Sequence, residues 1–347
     1  MFIKIFAILS SITVFFITLI VLSSFLTKIE NDKIFIHTKG DANSQNKIAI
    51  LKLTGPILNE PYFISDYNLF SNVSIIYVNK IKKILNKLES EKIKGLIISI
   101  NSPGGSVSAS FNLFNLFKEF KNNNNIVLFF HTNELMTSGA YWTALSGSKI
   151  FANYGSLIGS IGVKGPDWIY FDEPIVISNG LLGSSVVTKK GIKKFNNIAG
   201  NSKDIFDPFR PPTKNERIDL QNAVQNIYND FVNEVSSKRK IERNIILNDI
   251  GAMIYDTKSA KEKFLIDGTA SQEKVIKIMV EYLNFDNFQV IEKENFKSSF
   301  IENIIGINFL PKNFFDDSKS LQSYLICNIT KLQLSSIIIQ NNIYSSC

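Results

Sequence analysis

The chain has 347 residues, 45% of them hydrophobic, the ordinary proportion for one or two compact domains. Lys and Arg number 38 against 31 Asp and Glu, a formal charge of +7, yet the basic residues are scattered in short clusters such as Lys189-Lys190 and Lys238-Arg239-Lys240; without a basic stripe interleaved with aromatics, no nucleic-acid partner is expected. Two cysteines, Cys327 and Cys347, and two histidines, His37 and His131, form no metal-ligand spacing, so no metal or other cofactor is expected, and the histidines are too poorly placed for a Ser-His-Asp triad.

In chain order, the first predicted element is an apolar run from Ile5 to Leu26 with no charge inside it, long enough to cross a hydrocarbon core of about 30 Å. It exceeds the usual apolar run of a secretory signal, and no Ala-x-Ala site follows, so residues 1–27 read as an uncleaved transmembrane anchor. Lys4 precedes it and Lys28 and Lys33 follow, so charge does not orient it. Residues 28–47 are polar and mixed and read as a linker.

From Ile48 the pattern alternates. Ile48 to Leu53 predicts a strand ended by Gly55-Pro56; Ile81, Ile84, Leu85 and Leu88 mark one helix face; Leu96 to Ile100 is a buried strand between Gly95 and Pro103. Leu113, Leu116, Phe117 and Phe120 mark a second helix face, Asn122 to Asn125 a polar turn, and Ile126 to Phe130 another buried strand. Strands separated by helices predict an α/β fold with a mostly parallel sheet. Thr213-x-x-Glu216 is a capping box opening a helix whose apolar face is Leu220, Val224, Ile227 and Phe231. Ser259 to Lys263 and Glu273 to Tyr282 predict two more helices. Residues 284–347 show no pattern that indicates a role; a bond between Cys327 and Cys347 and two free thiols fit equally well.

Three segments carry candidate chemistry. Asn101-Ser102-Pro103-Gly104-Gly105-Ser106 lies between a strand and a helix, where paired glycines let backbone amides approach a ligand; it reads either as an oxyanion hole or as an ordinary tight turn. Ser138 in Thr137-Ser138-Gly139-Ala140-Tyr141-Trp142 sits among small residues at a helix start and reads either as an exposed nucleophile or as a helix cap. Lys203 in Asn201-Ser202-Lys203-Asp204 precedes Asp207-Pro208-Phe209-Arg210. A lysine acts as a base only when neutral, which requires its ordinary value of about 10.4 to fall by about three units, a cost of about 4 kcal/mol; burial without a nearby carboxylate achieves this, whereas the bland reading is a solvated surface lysine.

The order of these segments resembles the signal peptide peptidase A / SohB family of Ser-Lys proteases. Ile98 to Val107 resembles its oxyanion segment, Ser138-Gly139-Ala140-Tyr141-Trp142-Thr143-Ala144 its nucleophile helix, Gly159-Ser160-Ile161-Gly162-Val163 its Gly-Ser-Ile-Gly element, and Lys203-Asp204 before Pro208-Phe209-Arg210 its general-base segment. Tyr255 to Gly268 resembles its closing segment. The likeness covers about residues 48 to 282. It implies a ClpP/crotonase-like β-α superhelix over residues 48–283, with Ser138 as nucleophile, Lys203 as base, Ser160 orienting the lysine, and the Gly105 and Gly139 amides as oxyanion hole. It further implies membrane-associated peptide substrates, including cleaved signal peptides, and a ring-like homo-oligomer in which Ser and Lys can come from different subunits. The location implied is the bacterial inner membrane, single-pass, with the catalytic domain on the extracytoplasmic side. Ala140 stands where Gly is commoner, Lys263-Phe264 replaces Leu-Gly, and the stretch from Gly165 to Ile198 is long. Lys189, Lys190, Lys193 and Lys194 lie nearby, but none precedes the Pro-Phe-Arg element. Two other readings are a crotonase-type acyl-CoA enzyme, which needs carboxylate catalysts and has no use for the Ser138, Ser160 and Lys203 set, and a non-catalytic membrane scaffold of the same fold.

Overall fold

The computed structural model describes residues 34–60, 74–168, 170, 176–178, 185–187, 197–208 and 210–293, together with Val14, Phe15 and Thr18. The expected anchor over Ile5 to Leu26, except those three residues, and both cysteines lie outside the described residues; among the described residues no helix is long and apolar enough to cross a membrane.

Strands β1 (Phe35–Gly40), β2 (Lys47–Thr54), β3 (Ile57–Leu58) and β4 (Ile76–Tyr77) lead into α1 (Val78–Glu89), β5 (Gly95–Asn101) and α2 (Val107–Asn124). Then come β6 (Val127–Thr132), β7 (Leu135–Thr137), α3 (Gly139–Ala144), β8 (Lys149–Ala152) and β9 (Leu157–Gly159). Outlying strands β10 (Val176–Ser178) and β11 (Ser185–Val187) pair antiparallel. They precede α4 (Lys214–Arg239) and α5 (Arg243–Ile245), which a π turn (Ile246–Ile250) extends. The last elements are β12 (Ile254–Asp256), α6 (Thr257–Glu262), β13 (Gly268–Thr269), α7 (Gln272–Tyr282) and β14 (Gln289–Lys293).

The fold is α/β. Its main sheet has the order β1-β14-β2-β5-β6-β8-β13, parallel throughout except for the antiparallel edge strand β1. Both faces are covered, which explains the nearly continuous apolar runs of its strands. Ala49, Leu51, Leu96, Ile98, Leu128 and Phe130 pack with α1 and α2 on one face. Ile48, Ile50, Ile97, Phe129 and Phe151 alternate with them and pack against Val275, Ile276 and Met279 of α7 on the other. The expected helix faces are the buried ones: Ile81, Leu85 and Leu88 on α1, and Leu113, Phe117 and Phe120 on α2.

Three features differ from the sequence expectation. Residues 35–40, expected within a linker, form the edge strand β1, and residues 289–293, at the head of the expected C-terminal extension, form the strand between β1 and β2. The folded unit therefore reaches past 48–283 on both sides; neither strand alternates cleanly enough to stand out locally, and each is specified by pairing with the other. The Asn122 to Asn124 part of the expected turn continues α2, with Asn125 as its left-handed C-cap at φ 50°.

Candidate active site

A second, smaller sheet, β12-β9-β7, sets the site beside the C-terminal ends of the main strands. β7 and β9 run parallel with Thr137 opposite Gly159. The next residues along the two strands are Ser138 and Ser160, and the Ser138 amide donates to the Gly159 carbonyl at 2.8 Å. This register brings two of the sequence-predicted residues side by side. The Ser160 amide in turn donates to the Met253 carbonyl at 2.7 Å.

Both serines have left-handed backbones, Ser138 at φ 53° and Ser160 at φ 52°. A non-glycine residue pays about 1–3 kcal/mol for such a conformation and keeps it only where its surroundings enforce it. At Ser138 the strain makes a sharp strand-to-helix elbow that starts α3. Its side chain makes no capping hydrogen bond, so the helix-cap reading of Ser138 does not describe this hydroxyl. Every residue of α3 is buried. Tyr141 Oη donates to the Leu265 carbonyl at 2.8 Å, and burial raises its phenol above the ordinary range, so it stays neutral. The Trp142 ring stacks on Phe231 of α4 at 4.4 Å and 7°, with Phe111 edge-on at 5.9 Å. Ala140 is fully buried, so this position accepts a methyl group.

The glycine segment is pinned from both sides. On one side the Ser102 amide donates to Leu135 O at 2.7 Å and the Thr137 amide to Ser102 O at 3.2 Å. On the other, the Ile57 amide donates to Gly104 O at 2.9 Å and the Ser106 amide to Ile57 O at 3.0 Å. These last two bonds straddle Gly105, so its own N–H points away from Ile57. Ser102 Oγ accepts the Gly104 amide at 3.1 Å. Among the described residues, neither the Gly105 nor the Gly139 amide donates a hydrogen bond. The two lie close together: a Cβ on Gly104, which sits at φ 97°, would come within 2.6 Å of the Gly139 nitrogen, and one on Gly139 within 3.4 Å of the Gly105 nitrogen. A Cβ on Gly105 would run into the Ile57 backbone, and one on Gly139 into Ser110 Oγ. Two unspent donors beside a strained serine are an arrangement suited to holding a developing oxyanion.

Lys203 is different. It lies in a turn over residues 201–206 and is exposed. Among the described residues, no hydrogen bond or ion pair joins it to Ser138 or Ser160. Among the described residues, the burial expected around it is thus not seen. Its turn is nevertheless tightly fastened: Arg210 forks onto Asp204 and reaches on to Glu216, which closes the predicted capping box with Thr213. Ser102, Arg210 and Glu216 were not singled out by sequence as site residues; the Pro-Phe-Arg and Thr-x-x-Glu motifs held the signal for the last two.

Comparison with known proteins gives the family. Residues 121–285 match peptidase family S49. A Methanocaldococcus jannaschii protein described as a candidate protease is 31% identical over 244 residues, covering 68% of this chain and 72% of its own. An Enterococcus faecium protein described as a candidate signal peptide peptidase, SppA, is 26% identical over 276 residues, 80% of this chain and 75% of its own. The chloroplast serine protease SPPA of Arabidopsis thaliana is 24% identical over 248 residues, 71% of this chain and 34% of its own. The chain belongs to peptidase family S49. The names of these relatives support a serine peptidase of the signal peptide peptidase A kind.

Proposed function

We propose that the protein is a membrane-anchored serine endopeptidase with a ClpP/crotonase-like fold, in which Ser138 is the nucleophile, Lys203 the general base, Ser160 the residue orienting the lysine amine, and the Gly105 and Gly139 amides the oxyanion hole. The observation that carries the reading is the pair of unspent amides beside the elbow serine. Neutral Lys203 takes the Ser138 proton as Oγ attacks a peptide carbonyl; both amides donate to the oxyanion; the lysine ammonium then protonates the leaving amine, and the neutral lysine activates a water that releases the acyl group. Substrates are signal peptides or other membrane-associated peptides, with the apolar run over Ile5 to Leu26 holding the enzyme beside them at the bacterial inner membrane, and the catalytic domain on the extracytoplasmic side.

The working enzyme is a homo-oligomer, and the position of Lys203 supports a dyad completed by a second copy. From Ser160 the chain runs along α4 toward its N-terminus: Gly162 lies against Ala252, Gly165 against Val224, and Trp168 under Arg210 at 5.3 Å. The turn bearing Lys203 is fastened to Glu216, whereas α4 meets the nucleophile helix at Phe231, about 22 Å further along the helix at 1.5 Å per residue. The first half of α4 is largely exposed, with Leu220 and Val224 half-buried and Ile218 exposed. A second copy against this arm would cover the apolar stripe and shield the lysine from water. Ser138→Ala and Lys203→Met should each abolish cleavage of a fluorogenic peptide, and co-assembly of the two variants should restore activity that neither has alone. Full turnover by Lys203→Met chains would sink the base assignment; failure of Ser138 to react with a fluorophosphonate would favour the non-catalytic scaffold.

A further inference from the structure

We propose that Arg210 is a positioning residue for the base: its guanidinium occupies the Asp204 carboxylate, which would otherwise be free to pair with the neighbouring Lys203 amine, and fastens the base-bearing turn to the start of α4. The inference rests on Lys203 being the base. Arg210 Nε donates to Asp204 Oδ2 and Nη2 to Asp204 Oδ1, both at 2.7 Å, a two-pronged contact that uses both carboxylate oxygens. The same guanidinium donates from Nη1 and Nη2 to the Glu216 oxygens at 2.9 and 2.7 Å. Glu216 is only 4% exposed and also accepts from the Thr213 amide at 2.8 Å. Asp204, next to Lys203 in the chain, is therefore tied through Arg210 to Glu216 and the start of α4, while Lys203 itself is left out of this cluster. Trp168 covers the guanidinium at 5.3 Å, and Phe206 packs on Trp168 at 5.2 Å.

Charge explains why such a clamp is needed. A lysine base works only as the neutral amine, and a carboxylate within about 4–6 Å favours the ammonium by one to three pH units. Asp204 is the residue next to Lys203, and Asp207 follows just after the turn. Glu216, flanked by Lys214 and Arg217, faces the turn from α4, and the Lys164–Asp167 pair at 3.0 Å belongs to the segment leading to Trp168. Arg210 hydrogen bonds hold the Asp204 carboxyl below its ordinary range, and Arg210 followed by the Thr213 amide holds Glu216 far below its own. Both stay anionic at working pH, so it is their engagement, that of Asp204 by Arg210 and that of Glu216 by Arg210 and the Thr213 amide, that keeps them from the amine.

The test is the pH profile of kcat/KM for a fluorogenic peptide, using the full-length chain in detergent micelles. Arg210→Gln should lower kcat with little change in KM and move the acid limb upward by about one pH unit, because a freed Asp204 favours the ammonium. Adding Asp204→Asn to that variant should return the limb to its wild-type position. A limb that stays in place in Arg210→Gln, or a shift that Asp204→Asn does not reverse, would overturn the proposal and leave Arg210 a purely structural residue. Should Arg210→Gln fail to fold in a thermal melt, Arg210→Lys keeps the charge and loses the two-pronged contact; a smaller upward shift is expected, and an unmoved limb again refutes the role. Lys203→Met separates the two levels: a turnover-competent Lys203→Met removes the base assignment itself, whereas an inactive one with an unmoved Arg210→Gln limb removes only the clamp.

Discussion

Lowering the pH from 7 to 4 should destabilise the fold through His131, and the size of the effect can be worked from its surroundings. His131 lies on β6 between Ser99 of β5 and Phe151 of β8, and it is fully buried. Its Nε2 is 3.1 Å from the Ala270 carbonyl, which can only accept, so Nε2 carries the proton and Nδ1 is a lone pair with no hydrogen-bond partner among the described residues. Burial lowers the imidazole from 6.5 to about 4, although the Ala270 hydrogen bond pulls the other way. Protonation would leave a buried cation with an unpaired Nδ1–H. The sign follows from linkage: between pH 6.5 and 4 the unfolded chain binds a proton that the native one refuses, so stability is unaffected above about 6.5, falls through that window, and levels off below it. Two and a half units at 1.36 kcal/mol each make the total about 3 kcal/mol. Urea unfolding in detergent, followed by tryptophan fluorescence at half-unit steps, measures it. His131→Gln keeps an N–H for Ala270 and does not titrate, so it should cost a constant amount and lose this part of the slope. Carboxylates contribute equally to both chains and cancel in the difference. Parallel stability curves for the two chains would show that the imidazole is not held neutral by burial.

Gly105→Ala forces its Cβ into the Ile57 backbone and, on the proposed mechanism, displaces one oxyanion donor; kcat/KM should fall by about 100- to 1,000-fold, with KM little changed, in steady-state assays. Trp142→Ala empties the stack between α3 and Phe231 and should cost about 3–5 kcal/mol in denaturant unfolding, with Phe231→Leu costing less. Asp267 ties β8 to α4, accepting from the Ile150 amide at 2.7 Å and pairing with Arg239 at 2.9 Å and Lys149 at 3.2 Å. Burial pushes its carboxyl up, but Arg239, the Ile150 amide and Lys149 together hold it below the ordinary range. Its contribution is therefore present above about pH 4 and lost as pH falls through its lowered value, and Asp267→Asn should flatten acid unfolding below pH 4 while lowering the neutral melting temperature.

The three central strands of the seven-stranded main sheet were legible because their signals are local. The apolar runs of β2, β5 and β6 reflect a sheet covered on both faces, and the stripes of α1 and α2 mark the faces they bury. Thr213 and Glu216 announced the start of α4 because a capping box closes within one helical turn. β1 and β14 were not legible: Phe35 to Gly40 is exposed beyond its first residue, so no alternating pattern survives to mark it. Among the site residues, Ser138, Ser160, Gly105 and Gly139 were nameable from short motifs. That Ser138 avoids a capping bond, and that Lys203 stands exposed, depends on neighbours far away in sequence.

By itself the amino-acid order determined the central strands and most of the helices, because helix and strand periodicity and turn preference act over a few residues, while the residues proposed for acyl-transfer chemistry were marked by their resemblance to family motifs. Only the tertiary structure decided that the Gly105 and Gly139 amides lie close together, that Ser160 lies beside Ser138, and that Arg210 takes up the carboxylate next to Lys203. Each of these joins residues brought together by strand register and helix packing, and no local preference encodes such a distance.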